Sequence, residues 1–327
     1  MQIFLSHVNP QFIEVKAYAR LHFGFFDMSG LLGRRFGSLG LSIDAPVTEV
    51  KVHIINDYPE AENVAKNDEN ACKIIQNFVK EFNLPFDFKV EVVQKIPQHA
   101  GLGSGTQMAL AIGSAINQLC GLGLSIAQVA SVTQRGTRSG IGVATFEHGG
   151  LVVDGGRGAL TKVPPMIARA DFPEHWRILL IMDSAIIGTH GEQELAAFKQ
   201  LPNADITIAQ QLSHRILMQA LPSVAEADFA GFSQSIRALQ DATGAYFSSA
   251  QGGQYFSQNV TKVLKFLQQN DVKNFGQTSW GPTGFAIFEH EFLAIEAINA
   301  LKHEFKHVDS LSYYVVKAVN HGAVHTS

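Results

Sequence analysis

The sequence has little cysteine and no excess of positive charge. Two cysteines, Cys72 and Cys120, occur in 327 residues. Their positions do not match the spacing of a zinc or redox site, and we interpret both as small buried apolar side chains. Lysine and arginine number 25 against 29 acidic residues, a net charge of -4. This balance does not indicate binding to nucleic acid or to an anionic membrane. A phosphate ligand would therefore have to be bound by local arginines and backbone amides.

Long apolar runs are also absent. The sequence has no stretch of about 18 apolar residues and no basic and apolar leader, so it predicts neither membrane spanning nor secretion, and we expect a cytoplasmic protein. A hydrophobic content of 46% with 17% charged residues predicts a globular chain with a sizeable core.

The length and the order of elements predict the architecture. At about 150 residues per domain, two lobes are expected, and prolines near residue 165 place the boundary between residues 1–165 and 166–327. Strands separated by helices, without a repeat of fixed length, predict an α+β fold.

A glycine-rich run at residues 97–107 is the most informative segment. It follows an alternating strand pattern and precedes an apolar helical pattern. Glycines let the backbone approach a ligand, and the free amides at a helix start favour phosphate. The alternative is a flexible turn in which a hydroxyl merely caps the helix. The candidate phosphate ligands in this loop are Gly101, Gly103, Ser104, Gly105 and Thr106.

Three segments together resemble the GHMP kinase superfamily: an extended N-terminal strand pair, the glycine-rich loop and a late turn at residues 280–285. The resemblance implies two α+β lobes with a ligand cleft between them. It also implies that the loop wraps phosphates and that the late turn closes on the same pocket. Gly281, Thr283 and Gly284 are accordingly predicted to bind substrate.

The chain departs from these kinases at two places. Gly105 and Thr106 stand where the kinases carry Ser-Ala. Gly142 stands where many carry a catalytic aspartate, in the segment Ser-Gly-Ile-Gly-Val-Ala at residues 139–144. A glycine can neither accept a proton nor hold a metal ion, which speaks against phosphorylation of a hydroxyl by ATP.

A narrower resemblance explains both departures. The segment Arg20-Leu21-His22-Phe23, with Asp27 and the glycines that follow it, looks like the β-ribofuranosylaminobenzene 5'-phosphate synthase family. These GHMP-fold pentosyltransferases act in tetrahydromethanopterin biosynthesis. They join phosphoribosyl pyrophosphate to 4-aminobenzoate, or in some members to 4-hydroxybenzoate, and release carbon dioxide and pyrophosphate. The resemblance also implies Mg²⁺ as cofactor and allows a homodimer.

Arg20 and His22 lie on one face of the predicted first strand. By resemblance, Arg20 binds phosphate or carboxylate, and His22 is catalytic through placement of the reacting ring. Asp27 would hold magnesium or stabilise positive charge on the ribose. The alternative for Asp27 is a local turn in which it bonds its own backbone.

Other charged residues are candidates for the site, and each also has an alternative. Arg34 is favoured over Arg35, because adjacent residues in extended chain point in opposite directions. Arg138 is the predicted phosphate ligand, whereas Arg135, at a predicted helix end, is interpreted as structural. Glu192 is a catalytic candidate by resemblance, although acids in a first helical turn need no function. The sequence does not decide which acid would bind magnesium.

Two other functions share the glycine-rich loop and stay open at this point. One is an ATP-dependent small-molecule kinase of the GHMP superfamily. The other is a non-catalytic protein that binds a phosphorylated metabolite.

Overall fold

A computed structural model describes residues 12–55, 69–186, 188, 201, 204–279 and 281–327. The strands are β1 (Phe12–Asp27), β2 (Gly37–Ile55), β3 (Asp87–Gln94), β4 (Leu151–Asp154), β5 (Met166–Ala170), β6 (Arg177–Asp183), β7 (Phe275–Gln277), β8 (Gly284–Phe288), β9 (Leu311–Val316) and β10 (Val324–Thr326). The helices are α1 (Glu69–Phe82), α2 (Ser104–Leu119), α3 (Ile126–Val132), α4 (Ile141–His148), α5 (Ile206–Arg215), α6 (Leu221–Ala225), α7 (Phe229–Gln251), α8 (Gln258–Gln269) and α9 (Glu291–Glu304). A π-helical turn, Ile216–Ala220, joins α5 to α6.

The strands form two antiparallel sheets, which confirms the predicted α+β class. The first sheet has the order β10-β1-β2-β4-β5, with β3 paired to the outer part of β2. The second has the order β7-β8-β6-β9. Helices α1 and α2 pack on the first sheet because their buried faces carry residues such as Phe78 and Ile112, which join its apolar cluster.

One apolar cluster joins the two sheets. It contains Phe23 of β1 and Phe285 of β8, whose ring centroids are 5.2 Å apart, together with the fully buried Trp176. Strands β5 and β10, which belong to the C-terminal half of the chain, pair within the first sheet. The two halves therefore share a core, and the lobe boundary near residue 165 stays a prediction.

The helix predicted after the glycine-rich run is confirmed as α2, which begins at Ser104. A capping box of Ser125 and Gln128 begins α3, with both hydrogen bonds present. Strand β5 begins at the predicted lobe boundary. It is short and largely solvent-facing, so its sequence shows no apolar alternation. Among the described residues, none of the helices has both the length and the apolar character needed to cross a bilayer.

Some glycines that carry the family resemblance are explained by packing. A Cβ at Gly40 would overlap the side chain of Ile141, and a Cβ at Gly149 would overlap the backbone of His321. These glycines position the strands and the C-terminal segment rather than a ligand.

The shared core predicts that Phe285→Ala destabilises both halves together. Removing this buried ring should lower the free energy of unfolding by about 3–5 kcal/mol within a single transition, measured by urea titration with circular dichroism and tryptophan fluorescence. Phe292→Ala is the matched control, since Phe292 is 58% exposed and should change stability by less than about 0.5 kcal/mol. Two transitions, only one of them shifted by Phe285→Ala, would contradict the shared core.

Candidate functional site

The glycine-rich loop ends at the N-terminus of α2. Gly103 is the N-cap with φ of 84°, a left-handed conformation that favours glycine. Its carbonyl oxygen accepts hydrogen bonds from the amides of Thr106 and Gln107, at 3.1 and 3.0 Å. Within the described part of the chain, the amides of Gly103, Ser104 and Gly105 have no backbone acceptor. The first turn of α2 therefore presents free amides at the positive end of the helix dipole, as a phosphate site requires.

Strand β1 lies directly against this loop. The backbone amide of Arg20 donates a hydrogen bond to the carbonyl of Leu102 at 3.1 Å. The Nη1 atom of the Arg20 guanidinium donates a second one to the carbonyl of Gly101. The Nε atom of Arg20 lies 3.4 Å from the position that a Cβ of Gly103 would occupy. Glycine at 103 thus leaves room for the guanidinium, and the structure brings Arg20 together with the predicted loop residues.

The late turn packs on the same loop. The Thr278 hydroxyl accepts a hydrogen bond from the His22 amide and donates one to the Gly101 carbonyl, both at 2.9 Å. A Cβ at Gly101 would lie 2.8 Å from Cα of Gly281, and a Cβ at Gly281 would overlap the backbone at Ala100. Only residues without side chains allow the two backbones to approach this closely.

The other predicted residues of the late turn are buried. Thr283 has no exposed surface, and its carbonyl accepts a hydrogen bond from the Thr278 amide at 3.1 Å. Gly284 lies within β8 opposite Ile181, where a Cβ would come 2.6 Å from Cγ1 of Val260. Packing accounts for Gly284, and a role of these two residues in substrate binding stays a prediction.

His22 is buried beside Arg20, with 3% of its surface exposed. Its ring meets Phe25 edge to face, with centroids 4.6 Å apart. Both ring nitrogens are buried without a hydrogen-bond partner among the described residues. Burial, reinforced by the positive charge of Arg20, lowers the pKa of His22 to about 3. The imidazole is therefore neutral near pH 7 and suits the placement of a ligand better than proton donation.

Two further arginines lie near this centre. The charge of Arg138 makes a smaller contribution to the lowered pKa of His22. Arg135 is half-buried, and its Nη1 lies 3.3 Å from the position of a Cβ at Gly105. None of the ion pairs among the described residues includes Arg135. Burial lowers the pKa of its guanidinium.

The geometry of Arg135 differs from its interpretation as a structural residue at a helix end. Its guanidinium lies over the exposed first turn of α2, so it adds positive charge where the loop presents its amides. No local sequence pattern predicts this position, because the contact depends on packing of the segment after α3 against the start of α2.

Among the described residues, two predicted site residues, Arg34 and Asp27, are bonded away from the loop. Nε and Nη2 of Arg34 donate to the carbonyls of Gly155 and Gly156 at 2.8 and 2.7 Å, so this guanidinium ties two loops together. The Asp27 Oδ1 atom accepts hydrogen bonds from the amide and hydroxyl of Ser29, both at 2.8 Å. This is the local turn given above as the alternative. Their roles in the reaction stay predictions, and Glu192 lies outside the described residues.

Asp27 also lies far along β1 from the loop. Fully extended strand between Arg20 and Asp27 would span about 20 Å, although two register shifts shorten it. Asp27 could therefore reach a long substrate only at the end remote from Gly103.

Position 142 lies beside the loop, as the resemblance implies. A Cβ there would be 3.1 Å from Cγ2 of Thr106, and the Gly142 carbonyl accepts a hydrogen bond from Nε2 of Gln107 at 2.9 Å. A side chain at 142 would thus project toward the start of α2, and this chain has none. In the part of the chain that the structure describes, no three His, Cys, Asp or Glu side chains are grouped as metal ligands.

Comparisons with known proteins agree with this geometry. Models of the GHMP kinases N terminal domain and of the GHMP kinases C terminal domain match residues 69–150 and 220–307. Two relatives named beta-ribofuranosylphenol 5'-phosphate synthase are similar over most of their length. The one from Archaeoglobus fulgidus is 33% identical, covering 87% of this chain and 90% of the relative. The one from Methanothermobacter thermautotrophicus is 28% identical, covering 84% and 88%.

The solved structure of homoserine kinase from Cytophaga hutchinsonii is similar in fold. It has a TM-score of 0.68 at 16% identity and covers 99% of this chain and 100% of that protein. At this identity the likeness shows the fold alone.

The neutral state of His22 predicts a pH dependence of stability. An unfolded histidine has a pKa near 6.5, whereas folded His22 has a pKa of about 3. The unfolded state therefore binds the proton first as the pH falls. The stability that depends on neutral His22 is complete above about pH 6.5 and is lost progressively toward about pH 3, by up to about 1.4 kcal/mol per pH unit.

His22→Asn removes this titration, so its unfolding free energy should fall less steeply between pH 6.5 and 4 than that of the unmodified protein. Urea titrations at several pH values measure both slopes. Parallel curves for the two proteins would show that His22 is not a buried neutral imidazole.

Proposed function

This chain belongs to the beta-ribofuranosylphenol 5'-phosphate synthase family, which has the GHMP kinase fold, and from that premise we propose that it is a decarboxylating phosphoribosyltransferase. The donor is phosphoribosyl pyrophosphate, and the reaction belongs to the methanopterin pathway. The relatives are named for a phenol product, which favours 4-hydroxybenzoate over 4-aminobenzoate as the acceptor.

The observation that carries this proposal is the combination of free amides, arginines and a missing carboxylate at one helix start. At the first turn of α2, Arg20 lies beside Gly103 and Arg135 lies beside Gly105, and Gly142 supplies no negative charge. Such a site stabilises a diphosphate through charge-assisted hydrogen bonds. We place the diphosphate of the donor here, with Arg138 as a further phosphate ligand.

The chemistry requires no protein nucleophile. The bond between ribose C1 and the diphosphate oxygen breaks, and its electron pair leaves with the diphosphate. The ring carbon that bears the carboxylate then attacks the oxocarbenium-like C1. Carbon dioxide departs, and the electrons of its bond return to the ring and restore aromaticity. The enzyme must hold two anions together and exclude water from C1.

Different residues of this chain hold the two anions and exclude water. Arginines and amides at the loop offset the charge of the diphosphate before and after the bond breaks. His22 is neutral, so its ring can donate a hydrogen bond to the benzoate substrate or accept one from it. It does so without adding a positive charge next to Arg20. The late turn, held by Thr278, covers the loop and limits access of water.

Mg²⁺ fits this site as an ion that arrives on the diphosphate. Magnesium commonly uses one or two carboxylates together with substrate phosphates, and the described residues offer no ready-made cluster of acidic ligands. Asp27 lies at the end of β1 remote from the start of α2, so it is not placed to hold an ion on a diphosphate bound there. The ion would supply charge neutralisation for the leaving group.

One assay separates this function from its alternatives. Purified protein is incubated with phosphoribosyl pyrophosphate, Mg²⁺ and carboxyl-labelled 4-hydroxybenzoate, with and without ATP, and in parallel with 4-aminobenzoate. We expect labelled carbon dioxide without ATP. Phosphorylation that depends on ATP would instead identify a kinase. Binding without turnover would identify a non-catalytic protein. Assembly as a homodimer stays a prediction that sedimentation can test.

Arg135→Gln should raise KM for phosphoribosyl pyrophosphate by about 10- to 100-fold, since a hydrogen bond to a charged group contributes about 1.5–3 kcal/mol. KM for the acceptor should change little. Arg157→Gln is the matched control, because Arg157 is exposed and this substitution also removes one positive charge. Equal shifts in the two variants would mean that Arg135 acts only through net charge.

A further inference from the structure

Asp154, the last residue of β4, is a buried carboxylate that the mechanism above does not use. It has no exposed surface, and none of the ion pairs among the described residues includes it. Its Oδ2 atom accepts hydrogen bonds from Ser38 Oγ at 2.6 Å, from Ser139 Oγ at 2.9 Å and from the Gly140 amide at 2.7 Å. Its Oδ1 atom accepts one from the Gly156 amide at 2.8 Å.

These donors belong to segments that carry arginines. Ser139 and Gly140 directly follow Arg138, and Gly142 of the same segment lies beside Thr106 at the start of α2. Gly156 belongs to the loop whose carbonyls accept hydrogen bonds from Arg34. A single carboxylate therefore fixes the backbone on the C-terminal side of Arg138 and the loop that binds Arg34.

Only a carboxylate satisfies these donors. Each of its two oxygens faces a backbone N–H group, which cannot accept a hydrogen bond. An asparagine would have to direct its NH₂ group at one of these amides, so one buried bond would be lost and replaced by an N–H facing another N–H. Burial raises the pKa of Asp154, and its four hydrogen bonds act in the opposite direction.

We infer that Asp154 is a positioning residue that holds the Arg138 segment so that the guanidinium faces the phosphates of the donor. The inference rests on the proposed function. A buried charge without a cationic partner is costly, and the loop that it orders leads from Arg138 into α4. Asp154 contacts no predicted substrate-binding side chain in the described chain and acts through Ser139 and Gly140.

The experiment compares Asp154→Asn with Ser38→Ala. The Ser38 variant removes one donor to Oδ2 and the 2.9 Å contact between the Ser38 and Ser139 hydroxyls, but it keeps the bonds of Asp154 to Ser139 and Gly140. Asp154→Asn should raise KM for phosphoribosyl pyrophosphate at least 10-fold and weaken binding of inorganic pyrophosphate by a similar factor. Its kcat should stay within about threefold. Ser38→Ala should change each constant by less than about threefold. Melting temperatures identify variants that have lost the fold.

A double-mutant cycle separates positioning from a merely structural role. If Asp154 acts through Arg138, adding Asp154→Asn to Arg138→Gln should raise KM for the donor no further. Additive effects, or an unchanged KM in folded Asp154→Asn, would overturn the inference. If Asp154→Asn does not fold, Ser139→Ala replaces it in the same cycle, because it removes the donor on the segment itself.

Failure of this inference is distinguishable from failure of the proposed function. Unmodified protein that releases no carbon dioxide and binds no phosphoribosyl pyrophosphate would refute the function. Active protein with an additive cycle would refute only the role of Asp154.

Discussion

The contact between the backbones of Gly101 and Gly281 is the constraint on which the site depends. It brings the glycine-rich loop, in the first half of the chain, against the late turn in the second half, and Thr278 bridges the loop and β1 through two hydrogen bonds. Neither residue can carry a Cβ without displacing the other's backbone. The start of α2, Arg20 and the late turn therefore form one rigid wall, and a ligand held there meets groups from both halves of the chain.

Positive charge dominates the described part of this wall. Arg20 lies beside Gly103 and Arg135 beside Gly105, near the free amides of α2. Burial leaves the guanidinium of Arg135 partly desolvated, and none of the ion pairs among the described residues includes it. A cation in such surroundings is most stable when an anionic ligand replaces the lost water. Burial, reinforced by the positive charge of Arg20, holds the pKa of His22 low, so the site keeps a neutral imidazole next to its anion-binding groups. Cationic groups that bind anions, with a neutral imidazole beside them, suit a reaction that joins two anions and needs no general base.

Local patterns in the sequence were enough to predict the loop, the helix that follows it and the shared face of Arg20 and His22. Each depends on residues close together in the chain, such as Gly103 at the N-cap of α2. The position of Arg135 over Gly105 and the bonds of Asp154 to the Arg138 segment were not predictable in this way. Both depend on how elements distant in sequence pack. The residues around Arg135 in the sequence do not indicate that its guanidinium lies beside Gly105.

The pair formed by Gly142 and Thr106 explains how a kinase fold can support transfer of a pentosyl group. A phosphoryl transfer to a hydroxyl benefits from a carboxylate that accepts the proton of the nucleophile. In the proposed reaction a C–O bond breaks instead, the nucleophile is a ring carbon, and carbon dioxide is the group that leaves the ring. A carboxylate projecting from position 142 toward Thr106 would have no proton to accept and would repel the diphosphate held at the same helix start. Glycine removes that repulsion while its carbonyl still anchors Gln107 of α2, so the scaffold is kept and only the chemistry changes.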